Sequence, residues 1–349
     1  MAQKGKRKFT ARPWVTVVTA LLAVLPPAAC SAGGAEPPGP GDALWVDPES
    51  RAAREVRRYE AQGRDTDAEL LSRIADEPVA EWIGQAPRER ARAVTVRAAR
   101  DGRVPVLVAY HIPYRDCGNH SAGGARGPDD YRVWIRELAA GIGHRPAIVV
   151  LEPDAVAQVV DGCVPAAMRD ERLAMLKDAV LTLSRLPATR VYLDAGNAGW
   201  IQDVRALVAA LRRGGVGYAD GFALNVSNFQ PTAATRRYGH RLARALGGAH
   251  FVIDTSRNGN GPVTVARGAA GKPGTGGHEG HWCNPSGRAL GEPPTTRTGD
   301  PLVDAYLWVK RPGESDGTCN GGPPAGAWWR EYALELARNS DARSGGRPR

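Results

Sequence analysis

Residues 147–154 read AIVVLEPD, five apolar residues followed by Glu152-Pro153-Asp154. A short run rich in β-branched residues and cut off by a proline is a strand buried on both faces. Working outward, both flanks repeat one pattern. Upstream, 131–142 sets Tyr131, Trp134, Ile135, Leu138 and Ile142 at helical spacing, with Asp129-Asp130 before it and Gly143 after. Before that helix, 104–110 is another short apolar strand. Downstream, 166–186 is a helix with Leu173, Leu176, Val180 and Leu183 on one face. Strand 189–193, helix 204–211, strand 221–225, helix 233–246 and strand 250–253 follow in turn. A Gly/Pro-rich loop covers 258–300, then a strand at 302–309 and a closing helix at 328–337. Ahead of the alternation, 50–61 and 66–75 read as helices, the second with Leu70, Leu71 and Ile74 on one face. Strands alternating with helices make a mainly parallel sheet with helices outside it. The chain has no Gly-x-Gly-x-x-Gly and no phosphate-binding loop. The pattern therefore predicts an α/β fold closed into a parallel (β/α) barrel rather than an open nucleotide-binding sheet.

The remaining composition supports one exported globular unit. Hydrophobic residues make up 42% of the 349 and charged residues 24%, which excludes wholesale disorder. Residues 1–30 read as a secretory signal: Lys4, Lys6, Arg7, Lys8 and Arg12 precede an apolar stretch from Trp14 to Leu25, and Pro26-Pro27 end it. That stretch is shorter than the roughly 20 residues of a spanning helix. Cys30, after the small residues Ala28-Ala29, stands where a lipoprotein carries its acylated cysteine, so a lipid anchor there is the alternative to simple cleavage nearby. Without the five basic residues of that stretch, 41 basic residues face 37 acidic ones, which makes nucleic acid a poor partner. Residues 31–43 form a Gly/Pro-rich linker, 44–338 a single catalytic domain, and 339–349 a polar tail. Setting Cys30 aside leaves Cys117, Cys163, Cys283 and Cys319, which in an exported chain read as two disulfides with three possible pairings. No Cys-x-x-Cys occurs, and neither a metal nor an organic cofactor is expected.

In a βα barrel the chemistry sits where strands end. Here the strands run into His111 to Cys117, Glu152-Pro153-Asp154, Asp194 to Asn197, Ser227-Asn228, Asp254 to Arg257, and Lys310, Glu314 and Asp316. Carboxylates recur at one end of successive strands and are expected to converge on one mouth. Without metal-ligand spacing, crowded carboxylates suit acid/base work on a glycosidic bond, because mutual repulsion keeps a proton on one of them. Trp82, Trp200 and Trp282 lie in or beside the loops as candidate platforms for sugar rings, whereas Trp134 and Trp308 fit the core.

These residues carry a resemblance. YHIPYRDCGNHSAGG (110–124), LEPDA (151–155), VYLDAGNAGW (191–200), GFALNVSNF (221–229), VIDTSRNGNGP (252–262), WCNPSGRALG (282–291) and DAYLWVKRPGESDG (304–317) occur in this order. In these segments the chain resembles glycoside hydrolase family 6, the cellulases that include endoglucanases and cellobiohydrolases. The resemblance implies a distorted parallel (β/α) barrel, a β-1,4-glucan substrate and inversion at the anomeric carbon. It implies Asp154 as general acid, Asp116 as the residue that stabilises developing charge and influences the acid's protonation, and Asp316 as candidate base. Lys310 and Glu314 match substrate-binding positions, Trp200 and Trp282 match stacking positions, and Trp82 is a further candidate. Tyr110, Ser121, Asn197, Asn225 and Asn228 fall in the matching segments as substrate-binding candidates. The resemblance also implies the pairings Cys117–Cys163 and Cys283–Cys319.

Three positions depart from the family. Asn197 stands where Asp-Ala-Gly-His is usual, His111 where Asn or Asp is frequent, and Ala122 where a second serine is common. The Gly-rich 263–281 segment is longer than in simple endoglucanases of the family. The compact length and the Ser256-Arg257-Asn258-Gly259-Asn260-Gly261 segment resemble bacterial endoglucanases, so internal cleavage by a secreted or surface-anchored monomer is expected. The alternatives are a cellobiohydrolase, or a cell-surface glycan-binding protein whose catalysis is weakened by Asn197 and Ala122.

Overall fold

The computed structural model describes residues 1–2, 43–263 and 281–344. The expected signal stretch, Cys30, the linker through residue 42, residues 264–280 of the Gly-rich segment and residues 345–349 of the tail lie outside the described residues. The chain divides into two units, Met1–Gly33 and Gly34–Arg349, and every element below belongs to the second.

Seven strands form one sheet: β1 (Glu81–Ile83), β2 (Val106–Ala109), β3 (Ala147–Leu151), β4 (Thr189–Asp194), β5 (Gly221–Leu224), β6 (His250–Asp254) and β7 (Val303–Leu307). Each pairs in parallel with the next, in chain order. Beyond the strand ends, Val79 bridges Trp308 in the parallel sense, and the N–H of Ala80 donates to the Trp308 carbonyl at 3.0 Å. The sheet thus curls into a distorted (β/α) barrel whose first and last strands meet at that point.

Alternation along the strands separates two buried layers, as a period of two requires. Val106, Val108, Ile148, Val150, Tyr192, Ala223, Val252, Ala305 and Leu307 share the barrel interior. Leu107, Ala109, Val149, Leu151, Val191, Leu193, Phe222, Leu224, Phe251 and Ile253 face the helices. Both faces are buried, so the strands read as unbroken apolar runs rather than alternating ones. The helices facing that second layer are α3 (Pro87–Arg100), α4 (Pro128–Ile142), α6 (Ala166–Leu183), α7 (Val204–Arg213) and α8 (Thr232–Ala245), with a one-turn α5 (Ala157–Val160) leading into α6. Trp134 on α4 is buried there. On α8, a Cβ at Gly239 would overlap the Phe251 ring, so glycine sets how closely this helix approaches β6. A third cluster joins α1 (Arg51–Ala61), α2 (Asp65–Ala75) and α9 (Arg330–Ser344) to Trp308 and Leu290 beside β7.

The differences from the sequence reading are local. β2 starts at Val106, because Val104 instead bridges Leu44. β1 and α3 were not expected at all. The closing helix begins at Arg330 and runs on to Ser344. Within the long 258–300 loop, Asn258 bridges Ala289 and Thr295 bridges Tyr306.

Candidate active site

The turn after β3 is bent hard. Glu152 and Asp154 flank Pro153 with left-handed φ of 47° and 70°, and the N–H of Ala155 returns to the Glu152 carbonyl at 3.1 Å. Non-glycine residues in that region cost about 1–3 kcal/mol each and persist where the surroundings over-determine them. The turn leaves Asp154 half-buried at the end of β3. Its carboxyl accepts no hydrogen bond among the described residues, while its backbone N–H donates to Asp194 Oδ1 at 2.9 Å. Burial, followed by the charges of Asp194, Asp116 and Asp161, pushes Asp154 well above the ordinary carboxylate range. Asp194, the last residue of β4, is fully buried. Its Oδ1 also accepts the Gly196 N–H at 3.0 Å, and its Oδ2 accepts nothing among the described residues. Burial raises Asp194 to about 7, although the two N–H donors pull the other way.

Asp116 lies in a loop after β2 that is stitched to itself. Arg115 Nη1 donates to the Tyr110 carbonyl and Nε to the Ser121 carbonyl, both at 2.7 Å, and its guanidinium lies over the Tyr110 ring. Asp116 Oδ2 accepts the Ser121 N–H at 2.7 Å. Burial raises Asp116 against the pull of that N–H and of His120 and Arg115. Next to it, Cys117 pairs with Cys163 after α5.

The third carboxylate has the opposite electrostatics. Asp316 Oδ2 accepts Arg257 Nη1 at 2.8 Å and the Asn284 N–H at 3.0 Å, while Oδ1 lies 3.0 Å from Lys310 Nζ. Burial alone would raise it, but Arg257 and Lys310 outweigh burial and hold Asp316 at about 2. Asn284 Oδ1 accepts the Asp316 N–H at 2.7 Å, so the two residues clasp each other reciprocally. Cys283, beside Asn284, pairs with Cys319. His120 from the Asp116 loop reaches this cluster. Its ring lies 6.0 Å from that of Trp282, and a Cβ at Gly317 would overlap it. His120, Cys283 and Cys319 are the only trio of possible metal ligands that comes together among the described residues. The two sulfurs are bonded to each other and have no thiolate to offer.

The other predicted residues divide between surface and frame. Trp282 is 40% exposed, as a stacking platform needs. Trp82, in β1, sits edge-on to Tyr110 at 5.1 Å between centroids and donates its indole N–H to the Val309 carbonyl at 2.8 Å. Trp200 donates to Asp161 Oδ2 at 2.9 Å, which ties it to the Cys163 loop. Asn228 is half-buried, and its Oδ1 accepts the Phe229 N–H at 2.9 Å. Asn197 is buried and accepts the Gly199 N–H at 3.0 Å. Asn225 is fully buried, and its amide bonds the Gln230 N–H and the Asp254 carbonyl. Glu314 is buried against Arg311 at 2.9 Å, with Arg51 at 3.5 Å. Lys310 Nζ also donates to the Ser315 carbonyl at 3.1 Å.

The expectation that all strand-end carboxylates converge on the mouth holds only in part. Asp254 accepts four backbone N–H groups, from Ser227, Ser256, Val309 and Lys310, and so pins three loops together. Glu152 accepts the N–H groups of His111 and Ile112. Both are spent on backbone. The sequence assigns no role to Arg257 and Asn284, the two residues that grip Asp316, although both fall in segments quoted above, Arg257 in the one that follows β6.

Comparison with known proteins agrees with this geometry. Residues 40–340 match the family described as Glycosyl hydrolases family 6. Endoglucanase A of Cellulomonas fimi is 46% identical over 308 residues, 87% of this chain and 62% of that protein, so this chain spans less than two thirds of its length. Endoglucanase 1 of Streptomyces halstedii is 41% identical over 321 residues, 88% of this chain and 92% of that protein. Among solved structures, the endoglucanase Cel6 from Mycobacterium tuberculosis, in complex with methyl-cellobiosyl-4-deoxy-4-thio-β-D-cellobioside, is 42% identical with a TM-score of 0.78, covering 86% of this chain and 98% of that one. The match across residues 40–340, carried on a parallel (β/α) barrel, places this chain in glycosyl hydrolases family 6.

Proposed function

We propose that the chain is an exported endo-β-1,4-glucanase that cleaves internal bonds of cellulose or a related glucan with inversion. The observation that carries this reading is the opposed electrostatics of two carboxyls at one barrel mouth: Asp154 is driven up and Asp316 is held down at about 2. Inverting hydrolysis needs this pair, a proton donor for the leaving oxygen and an anion on the side of the attacking water.

In this reading Asp154 donates its proton to the glycosidic oxygen as the bond to the anomeric carbon breaks. Burial holds that proton at neutral pH, and Asp194 and Asp116 add to it by making a further negative charge costly. Asp116, close enough to act on Asp154, offers negative charge to the sugar as it gains oxocarbenium character. Asp316 is the candidate base. It is anionic at every working pH, as a proton acceptor must be, but its ion pairs make it a weak one. It therefore suits orienting the attacking water and receiving its proton late. Trp82, Trp200 and Trp282 supply flat faces for sugar rings, and Lys310 and Glu314, in the loop after β7, are further substrate-binding candidates. The solved relative's complex with a thio-linked cello-oligosaccharide supports a β-1,4-glucan as substrate.

Export through residues 1–30 is part of the proposal. It is supported by the basic-then-apolar order there and by two disulfides in the folded unit. Internal cleavage is supported by the endoglucanases among the relatives. A cellobiohydrolase is the second reading. The contact of His120 with Trp282 and Gly317 favours it, since a roofed groove needs loops that meet in this way. Viscosity and reducing ends of carboxymethyl-cellulose, followed together, separate the two. Early viscosity loss supports internal cleavage, and cellobiose release at near-constant viscosity contradicts it. Proton NMR of the first product tests inversion: the α-anomer must appear first.

A further inference from the structure

Two charged side chains behind the site have no part in the steps above. Glu152 is 0% exposed and Arg172 is 1% exposed. Glu152 sits at the start of the turn that carries Asp154. Its Oε1 accepts the His111 N–H at 2.9 Å, and its Oε2 accepts those of His111 and Ile112 at 3.0 and 3.1 Å. Arg172, on α6, donates Nη2 to the carbonyls of Pro113 at 2.6 Å and Tyr114 at 2.9 Å, and Nη1 to Gln158 Oε1 at 3.3 Å. Four successive residues, 111–114, are therefore held, the first two through N–H by an acid and the last two through C=O by a guanidinium.

This backbone needs holding. Tyr114, Asp116 and Cys117 have left-handed φ of 54°, 54° and 48° without a glycine among the three, and Arg115 between them has φ of −58°. Each costs about 1–3 kcal/mol, and such strain relaxes wherever the surroundings let it. Arg115 and the disulfide at Cys117 fix the far side of the loop, and among the described residues no other charged side chain bonds the 111–114 backbone. Hydrogen bonds from a charged guanidinium such as Arg172 are the stronger kind, and buried bonds on either side of the clamp exclude competing water.

We propose that Glu152 and Arg172 are positioning residues for Asp116: a buried acid-and-guanidinium clamp that fixes the 111–114 backbone and so sets the Asp116 carboxylate against Asp154. Glu152 opens the turn that carries Asp154, so the same side chain registers the acid's turn against the loop of its neighbour. The proposal deepens the catalytic reading of Asp116 and rests on it.

A double-mutant cycle with amide exchange tests it, using Glu152→Gln, Asp116→Ala and the pair, with Arg172→Lys as second clamp variant should Glu152→Gln fail to fold. Glu152→Gln should keep both disulfides, lower kcat about tenfold with KM nearly unchanged, and speed exchange at His111 and Ile112. In the Asp116→Ala background the same change should cost less than about twofold, since the clamp acts through Asp116. An equal tenfold loss in both backgrounds, or wild-type kcat with fast exchange, overturns the proposal. Wild-type activity in Asp116→Ala alone overturns it too, by removing Asp116 from the reaction. Exchange at 111 and 112 then still reports whether the clamp anchors the loop, which keeps the two failures apart.

Discussion

The N–H of Asp154 donates to Asp194 Oδ1 at 2.9 Å, so the residue that fixes the acid's backbone also sets a buried carboxyl behind it. Position and proton retention thus come from one side chain. Asp194→Asn keeps an oxygen for that N–H and removes the charge. Removing a negative neighbour makes ionisation of Asp154 easier, so the acid's pKa falls. The alkaline limb of the kcat/KM profile should shift to lower pH, and Asp116→Ala should shift it in the same direction. A limb unmoved by both would leave burial alone as the cause of the raised acid and remove the neighbouring charges from it.

Arg257 and Lys310 hold Asp316 at about 2, below its ordinary value of 3.8. A depressed carboxylate contributes stability that is present above its unfolded pKa and lost as pH falls through its folded one. Arg257→Met leaves Asp316 buried with Lys310 as its one cation and the Asn284 N–H as its one backbone donor among the described residues. The expected loss is about 3–5 kcal/mol, with the acid-unfolding midpoint moving up. Urea titration at neutral pH and an acid titration check both. An unchanged midpoint would mean that the pair contributes nothing to acid resistance.

Glu152 and Asp194 have the opposite sign. Burial raises each to about 7, from 4.5 and 3.8. Their contribution is complete below those ordinary values and is lost as pH rises through about 7. The melting temperature should therefore fall between pH 5 and pH 8, and Glu152→Gln should flatten that slope. Calorimetry at several pH values in low-enthalpy buffers checks it, and a rising wild-type slope would contradict it.

The pairs Cys117–Cys163 and Cys283–Cys319 close loops of 46 and 36 residues beside Asp116 and Asp316. Thiol titration under denaturing conditions should find none of these four cysteines free. Replacing either pair with serine should cost about 2–5 kcal/mol. Activity should fall further in the Cys117 variant, whose loop carries Asp116.

The barrel was legible because a strand buried on both faces writes itself as an apolar run, as in Ala147–Leu151 and Val106–Ala109. β1 was hidden by its three-residue length, and α3 by an inward face of Ala91, Val94, Thr95 and Ala98 among five arginines. Strand-end position singles out the segments that hold Asp116, Asp154 and Asp316, and the family resemblance supplies the roles proposed for them. It could not say which carboxylates face solvent and which face backbone. Asp254 and Glu152 carry the same pattern as Asp154 and are consumed by N–H groups, a distinction set by loop conformation. Asn284 clasps Asp316 across 32 residues of chain, a relationship that spacing does not carry.

Proton donation by Asp154 is the central claim, and a leaving-group comparison tests it most directly. Asp154→Ala and the unmodified protein are compared on barley β-glucan and on an aryl cellobioside whose nitrophenolate leaves without protonation. Loss of a general acid should cost about 10²- to 10⁴-fold on the glucan and far less on the aryl substrate. Equal losses on both substrates, or full activity on the glucan, would contradict the assignment of Asp154 as the acid.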